Sequence, residues 1–181
     1  MEKQELNEII EKVINRSDIT SQDIPDLDLY MDQIMTLFDQ HLDDNKRYED
    51  DKLLTKTMIN NYSKAKVLSP VKGKKYTKEQ IIQMLMIYYL KNNLTIQEIK
   101  KILTPLYHQD IPLKNIYDQF MDIKHQQMQQ LKDFITSQIN GYQLDVSKSQ
   151  DQLIIMMILS SLSYSLTSVV ELMVDQIEEI E

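Results

Sequence analysis

Cysteine is absent from the 181 residues, which excludes disulfides, thiolate metal sites and a cysteine nucleophile. That absence fits a reducing, cytoplasmic setting. Turn residues are scarce as well. Gly73, Gly141, Pro25, Pro70, Pro105 and Pro112 are all there are, with none between Pro25 and Pro70 and none after Gly141. An all-β sandwich or barrel needs a turn about every 8–12 residues, so the chain is expected to be all-α with long helices. The amino terminus, MEKQELNEIIEK, lacks a basic stretch followed by an apolar run, so no secretory signal is expected. What is present is ordinary for a soluble globular protein: 42% apolar and 27% charged residues, with a formal net charge of -8. The length suits one domain or two small ones.

Helical periodicity runs through most of the chain. Leu6, Ile9, Ile10, Val13 and Ile14 predict an amphipathic first helix over residues 2–15. Leu29, Ile34, Leu37, Phe38 and Leu42 predict a second from about Asp28, with Asp26 and Asp28 as its caps. DDNKRYEDD (43–51) reads as an exposed loop. Thr55 is a suitable N-cap for a short helix ending near Ala65, and VLSPVKGKKY then suits a small hairpin or wing. Thr77 with Gln80 and Thr95 with Glu98 are capping boxes. The first opens a helix apolar around most of its circumference and therefore central to the core; the second opens one that Pro105 should stop. A helix of about seven turns is expected from Pro112 to Ile139, with Gly141 as its left-handed terminator.

Residues 153–170, LIIMMILSSLSYSLTSVV, carry no charge. Their length reaches the lower edge of a membrane span. Six Ser or Thr, an acidic continuation and no basic anchor after the run favour a buried bundle or dimer helix, with no membrane. Met84, Met86, Met156, Met157 and Met173 fall on expected core helices, where packing explains them more simply than a pliable pocket for a small apolar effector or a protein partner.

The acidity of the whole conceals an opposite local sign. From Lys52 to Lys78 stand Lys52, Lys56, Lys64, Lys66, Lys72, Lys74, Lys75 and Lys78, with no Asp or Glu among them. A local basic face, and not the net charge, is what phosphate binding requires. The short helix after Thr55 offers Lys56, Thr57, Asn60, Asn61 and Lys64, and asparagine can pair with an adenine edge in a major groove. The turn that follows offers Lys72, Lys74 and Lys75, with Gly73 for close approach and Tyr76 for an aromatic contact, and Tyr62 of the helix is counted with them. These residues form the expected site for double-stranded DNA.

The stretch TKTMINNYSKAKVLSPVKGKKYTKEQIIQMLMIYYLKNNLTIQEIKKIL, Thr55 to Leu103, resembles the winged helix-turn-helix of MerR-type regulators, with Ile59, Tyr62, Leu68, Pro70, Tyr76, Thr77, Thr95, Glu98 and Ile99 on the pattern. The larger arrangement IPDLDLYMDQIMTLF, LLTKTMINNYSKAKVLSP and KGKKYTKEQII resembles a Gram-positive family catalogued as a domain of unknown function, number 1836, over residues 24 to about 104. MerR-type proteins usually have Arg where Asn60 stands, and a tight turn where this chain has DDNKRYEDD.

Periodicity gives an amino-terminal helix region (1–23), and the resemblance implies a winged helix-turn-helix with a small β wing (24–104) followed by a helical dimerisation or effector region (105–181). It implies a DNA-binding transcriptional regulator; the alternative is a helical protein-interaction module that kept the fold without DNA binding. A homodimer is expected, with the helices Pro112–Ile139 and Gln150–Ile180 as its seam. His41, His108 and His125 form no metal-ligand motif, and no phosphate loop or serine elbow occurs, so no metal, cofactor or catalytic residue is expected.

Overall fold

The computed structural model describes residues 1–71, 73–108 and 111–177, with the backbone alone at His108, so Lys72 and the His108 side chain lie outside the described residues. The chain is mostly helical with one two-stranded sheet, in the order α1 (Lys3–Ile14), β1 (Leu29–Tyr30), α2 (Met31–Leu42), a 3-10 turn (Asp43–Asn45), α3 (Lys56–Lys64), β2 (Lys75–Tyr76), α4 (Lys78–Leu90), α5 (Ile96–His108), α6 (Leu113–Gly141) and α7 (Ser149–Asp175). The all-α expectation holds at that level.

Contacts divide the chain into two units, one of Ser17–Met121 with the residues from Met173, the other of Met1–Arg16 with Asp122–Leu172. In the first unit α4 is the central element: Ile81, Ile82, Met84, Leu85 and Ile87 have essentially no exposed surface. A helix buried on most sides needs its ends satisfied, and the Thr77–Gln80 capping box does this at the amino end, the Thr77 amide reaching Gln80 Oε1 at 3.0 Å. Ile34, Phe38 and Leu42 of α2, Ile59 of α3, Ile99 and Leu103 of α5 and Tyr117 of α6 are buried in the same unit. At about 1.5–3 kcal/mol for each fully buried large side chain, this core supplies the main stabilising term. The Tyr117 hydroxyl donates to the Ile19 carbonyl at 2.6 Å, which ties the segment before β1 to α6.

Three local expectations are corrected. Helix α2 starts at Met31, not Asp28, because Leu29 and Tyr30 are extended and pair antiparallel with Tyr76 and Lys75. Asp26 is therefore no cap, and it pairs with Lys78 at 2.7 Å. Pro105 does not stop α5; one ladder bond is lost at its missing N–H, and the helix completes a further turn to His108. The Tyr107 hydroxyl, donating to the Val67 carbonyl at 2.9 Å, holds that last turn in place. Gly141 is still helical, and the left-handed residue is Gln143 at φ 53°.

The acidic segment 43–51 is mostly exposed, as expected, and folds on itself: the Arg47 and Tyr48 amides both donate to the Asp51 carboxylate at 3.0 Å. Its anchor is Asn45, which is buried and donates to the Ser17 carbonyl at 2.7 Å.

The second unit has a small core. Ile139, Val146 and Ile155 form its buried cluster, with Leu6, Ile135, Leu144 and Leu159 packed against it, and Lys132 of α6 is paired with Glu11 of α1. Met156 and Met157, expected in a core, are exposed, and so is Met173; the apolar composition of α7 does not reflect burial by its own chain. Helix α7 is long and apolar enough to cross a membrane, and 6% of that apolar stretch is buried.

Candidate functional site

Helix α3 begins where the Thr55 hydroxyl accepts the Met58 amide at 3.1 Å. Ile59 and Tyr62 turn inward. Asn60, Ser63 and Lys56, at helical spacing, line a groove, while Thr57, Asn61 and Lys64 form the adjoining exposed stripe.

The helix ends in a Schellman motif. The Val67 amide reaches the Tyr62 carbonyl at 3.0 Å and the Lys66 amide reaches that of Ser63 at 3.1 Å, leaving Lys66 at φ 57°. A left-handed residue at this position is usually glycine, and the chain holds a lysine there instead.

The connector after α3 is fastened from three sides. Gln83 of α4 accepts from the Ser69 amide at 3.0 Å and the Ser69 hydroxyl at 2.9 Å. Gln80 donates to the carbonyls of Ser69 at 3.2 Å and Pro70 at 2.9 Å. Tyr107 holds Val67. Both glutamines are buried, so a side-chain amide group of either left without these partners would cost about 1–3 kcal/mol. Past this clamp, Gly73 takes φ 80° and the backbone returns to β2.

Between α3, this connector and α5 lies an open groove of about 970 Å³. Its described lining includes Lys56, Asn60, Lys66, Lys74 and Lys100, and no carboxylate. Lys56 is paired with Asp32 at the rim. Among the described residues Lys66, Lys74 and Lys100 have no carboxylate partner. Two acids of the 43–51 segment, Asp43 and Asp51, line with Asp39 another cavity of about 250 Å³ beside α2, which shares Lys56 with the groove.

Of the residues expected in the site, Lys56, Asn60, Lys74 and Tyr76 line the groove, Thr57, Asn61 and Lys64 lie exposed beside it, and Lys75 stacks over the Tyr30 ring at 4.9 Å on the sheet. Lys72 is outside the described residues. Tyr62 is buried in the core at 5% exposure, and Tyr76, though it edges the groove, is 8% exposed, so neither ring is offered as a stacking surface. Burial pushes both hydroxyls above the ordinary tyrosine range.

Sequence reasoning misses Lys66, Lys100, Gln80, Gln83 and Tyr107 as members of the site. Lys66 lies inside the acid-free window, which is its only signal. Lys100 and Thr104 share one face of α5 at i, i+4, but nothing local shows that this face meets the groove. Among the described residues no group of three or more His, Asp or Glu is arranged to hold a metal ion.

A family model described as a domain of unknown function (DUF1836) matches residues 19–120, nearly the same span as the Ser17–Met121 part of the first unit. No curated protein and no solved structure matches the chain.

Proposed function

The chain belongs to the DUF1836 family, and we propose that its matched unit is a MerR-like winged helix-turn-helix that binds duplex DNA and regulates transcription. In this reading α2 and α3 are the helix-turn-helix, α3 enters the major groove, and the connector from Val67 to Lys74 is a wing lying along the backbone. The observation that carries it is the groove whose described lining holds no carboxylate and in which, among the described residues, Lys66, Lys74 and Lys100 have no carboxylate partner beside Asn60. Lysines with no carboxylate beside them among the described residues are available to phosphates, and each such contact releases counterions from the duplex. Asn60 supplies a donor and an acceptor on one amide, the combination that reads adenine.

The left-handed Lys66 adds support. A non-glycine residue there costs about 1–2 kcal/mol, which a structural role alone does not repay, because glycine would cap α3 equally well. The buried Gln80 and Gln83 hold the wing's entry, so the cations are presented on a fixed backbone. The 43–51 segment lengthens the turn between α2 and α3 without putting a carboxylate into the groove.

One observation favours the second reading, a protein-interaction module. Lys56, the cation at the start of α3, is already neutralised by Asp32, so an acidic protein segment could satisfy the rest. A labelled duplex of about 30 base pairs, titrated at two salt concentrations, separates the two. DNA binding predicts saturable affinity that falls steeply with salt; its absence at low salt leaves the protein partner.

A further inference from the structure

Helix α7 carries a seam that its own chain leaves uncovered. Ile155, Leu159, Leu162, Leu166, Val169 and Met173 are spaced 4, 3, 4, 3 and 4 residues apart, the alternation of a coiled-coil a/d stripe. Its first two members are seated in the second unit's core, Ile155 buried and Leu159 packed against it. After Leu159 the same stripe continues in the open: Leu162 is 37% exposed, Leu166 68%, Val169 55% and Met173 66%. A packing face that runs out of partners halfway along one helix calls for a surface of matching period.

We infer that this surface is α7 of a second copy of the chain, laid antiparallel. Three features select it. The exposed seam residues Leu162, Leu166, Val169 and Met173 stand together along about three helical turns, a continuous apolar strip of the kind that marks an interaction surface. The unit that carries the seam as far as Val169 is itself short of core: of its described residues, Ile10, Ile139, Val146 and Ile155 are the buried apolar ones. The charges set the direction. Glu171 and Asp175 lie at the carboxyl-terminal, negative end of α7, whose last turn holds no basic residue. A parallel pair would bring four carboxylates and two negative helix ends together. An antiparallel pair centred between Leu166 and Val169 separates them, packing Leu166 on the partner's Val169 and Leu162 on the partner's Met173. The side away from the seam is mixed, with Ser160, Ser161, Thr167 and Ser168 among the exposed Leu153, Met157 and Tyr164, and a lipid bilayer is therefore an outcome that the test must separate.

This inference does not depend on DNA binding and is tested without DNA. The natural chain has no cysteine, so single-cysteine variants report pairing cleanly. The full chain at about 10 µM should sediment at twice its 21.5 kDa mass, and Leu166→Asp, with its helical content retained by circular dichroism, should sediment as a monomer. Leu162→Cys and Met173→Cys chains, mixed and oxidised, should give mainly the mixed disulfide dimer, and neither should cross-link efficiently alone. Four results would overturn the inference: a monomeric wild type, a Leu166→Asp variant that remains dimeric, efficient cross-linking of each cysteine variant to itself, or flotation of monomeric chain with neutral phosphatidylcholine vesicles.

Discussion

Replacing Lys66 with glycine should move stability and binding in opposite directions. At φ 57° the lysine Cβ crowds the backbone, at a cost of about 1–2 kcal/mol. Glycine removes that cost but gives the unfolded chain more freedom, which takes back about 0.5–1 kcal/mol. The Schellman bonds at 3.0 and 3.1 Å are unaffected, since both are made by backbone atoms. The net expectation is a gain of about 0.5–1 kcal/mol, or about 2 °C in Tm for a chain of this size. The same change deletes one of the groove's unpaired cations, so the slope of log affinity against log salt should become shallower by about 0.9. Lys66→Asn controls for charge alone: asparagine tolerates the left-handed region, so it should lower the slope equally with a smaller gain in Tm. Thermal melts followed by circular dichroism and fluorescence anisotropy on a labelled duplex measure both quantities. A lower Tm in Lys66→Gly would refute the strain argument, and an unchanged slope would remove Lys66 from the interface.

Asn60→Ala should reduce discrimination between the best and random sequences by about 1–3 kcal/mol; equal losses on both duplexes would mean that Asn60 reads no base. Gln83→Leu removes the acceptor of the half-buried Ser69 amide and hydroxyl and should cost about 0.5–1.5 kcal/mol per bond in urea unfolding, with weaker DNA binding at an unchanged salt slope. A neutral result would show that the clamp on the connector is not needed. Hydrogen bonds from Lys78 to Asp26, from the Thr95 hydroxyl to Glu98 and from Lys114 to Asp118 hold these carboxyls below the usual carboxylate range. The unfolded state therefore binds more protons in acid, and the stability these groups contribute is present above about pH 4. It is lost as pH falls through their lower folded-state values. Melts from pH 7 to pH 3 should show a flat Tm and then a decline, and a Tm that rises on acidification would contradict the assignment.

Sequence reading succeeds where structure is local. The Thr55 cap and the Thr77–Gln80 and Thr95–Glu98 boxes each depend on residues three apart, and all three are present. It fails where a distant partner decides. Leu29 and Tyr30 are extended because Tyr76 and Lys75 lie beside them, and nothing within α2 signals that. Pro105 stays helical because Tyr107 is anchored to Val67, forty residues earlier. Helix α7 shows a further limit: apolar composition reports a need for burial but not which surface meets it, so Met156 and Met157 read as core and are exposed. In the site, the lysine window is legible as composition, whereas Lys100 joins it only through the packing of α5. Tyr62 and Tyr76 read as contacts when the hydroxyl and ring are considered as chemistry, but their hydrophobic bulk decides their place and buries them.

The most direct test of the basic groove is a salt titration of DNA binding with the intact chain and with its Lys66→Ala, Lys74→Ala, Lys100→Ala triple variant. The wild type should bind duplex DNA with an affinity that falls steeply between about 50 and 200 mM salt, and the variant's slope should be shallower by about 2.7, at roughly 0.9 for each lysine withdrawn from a phosphate. No binding by the wild type at about 50 mM salt, or the same slope in a folded variant, would contradict the account.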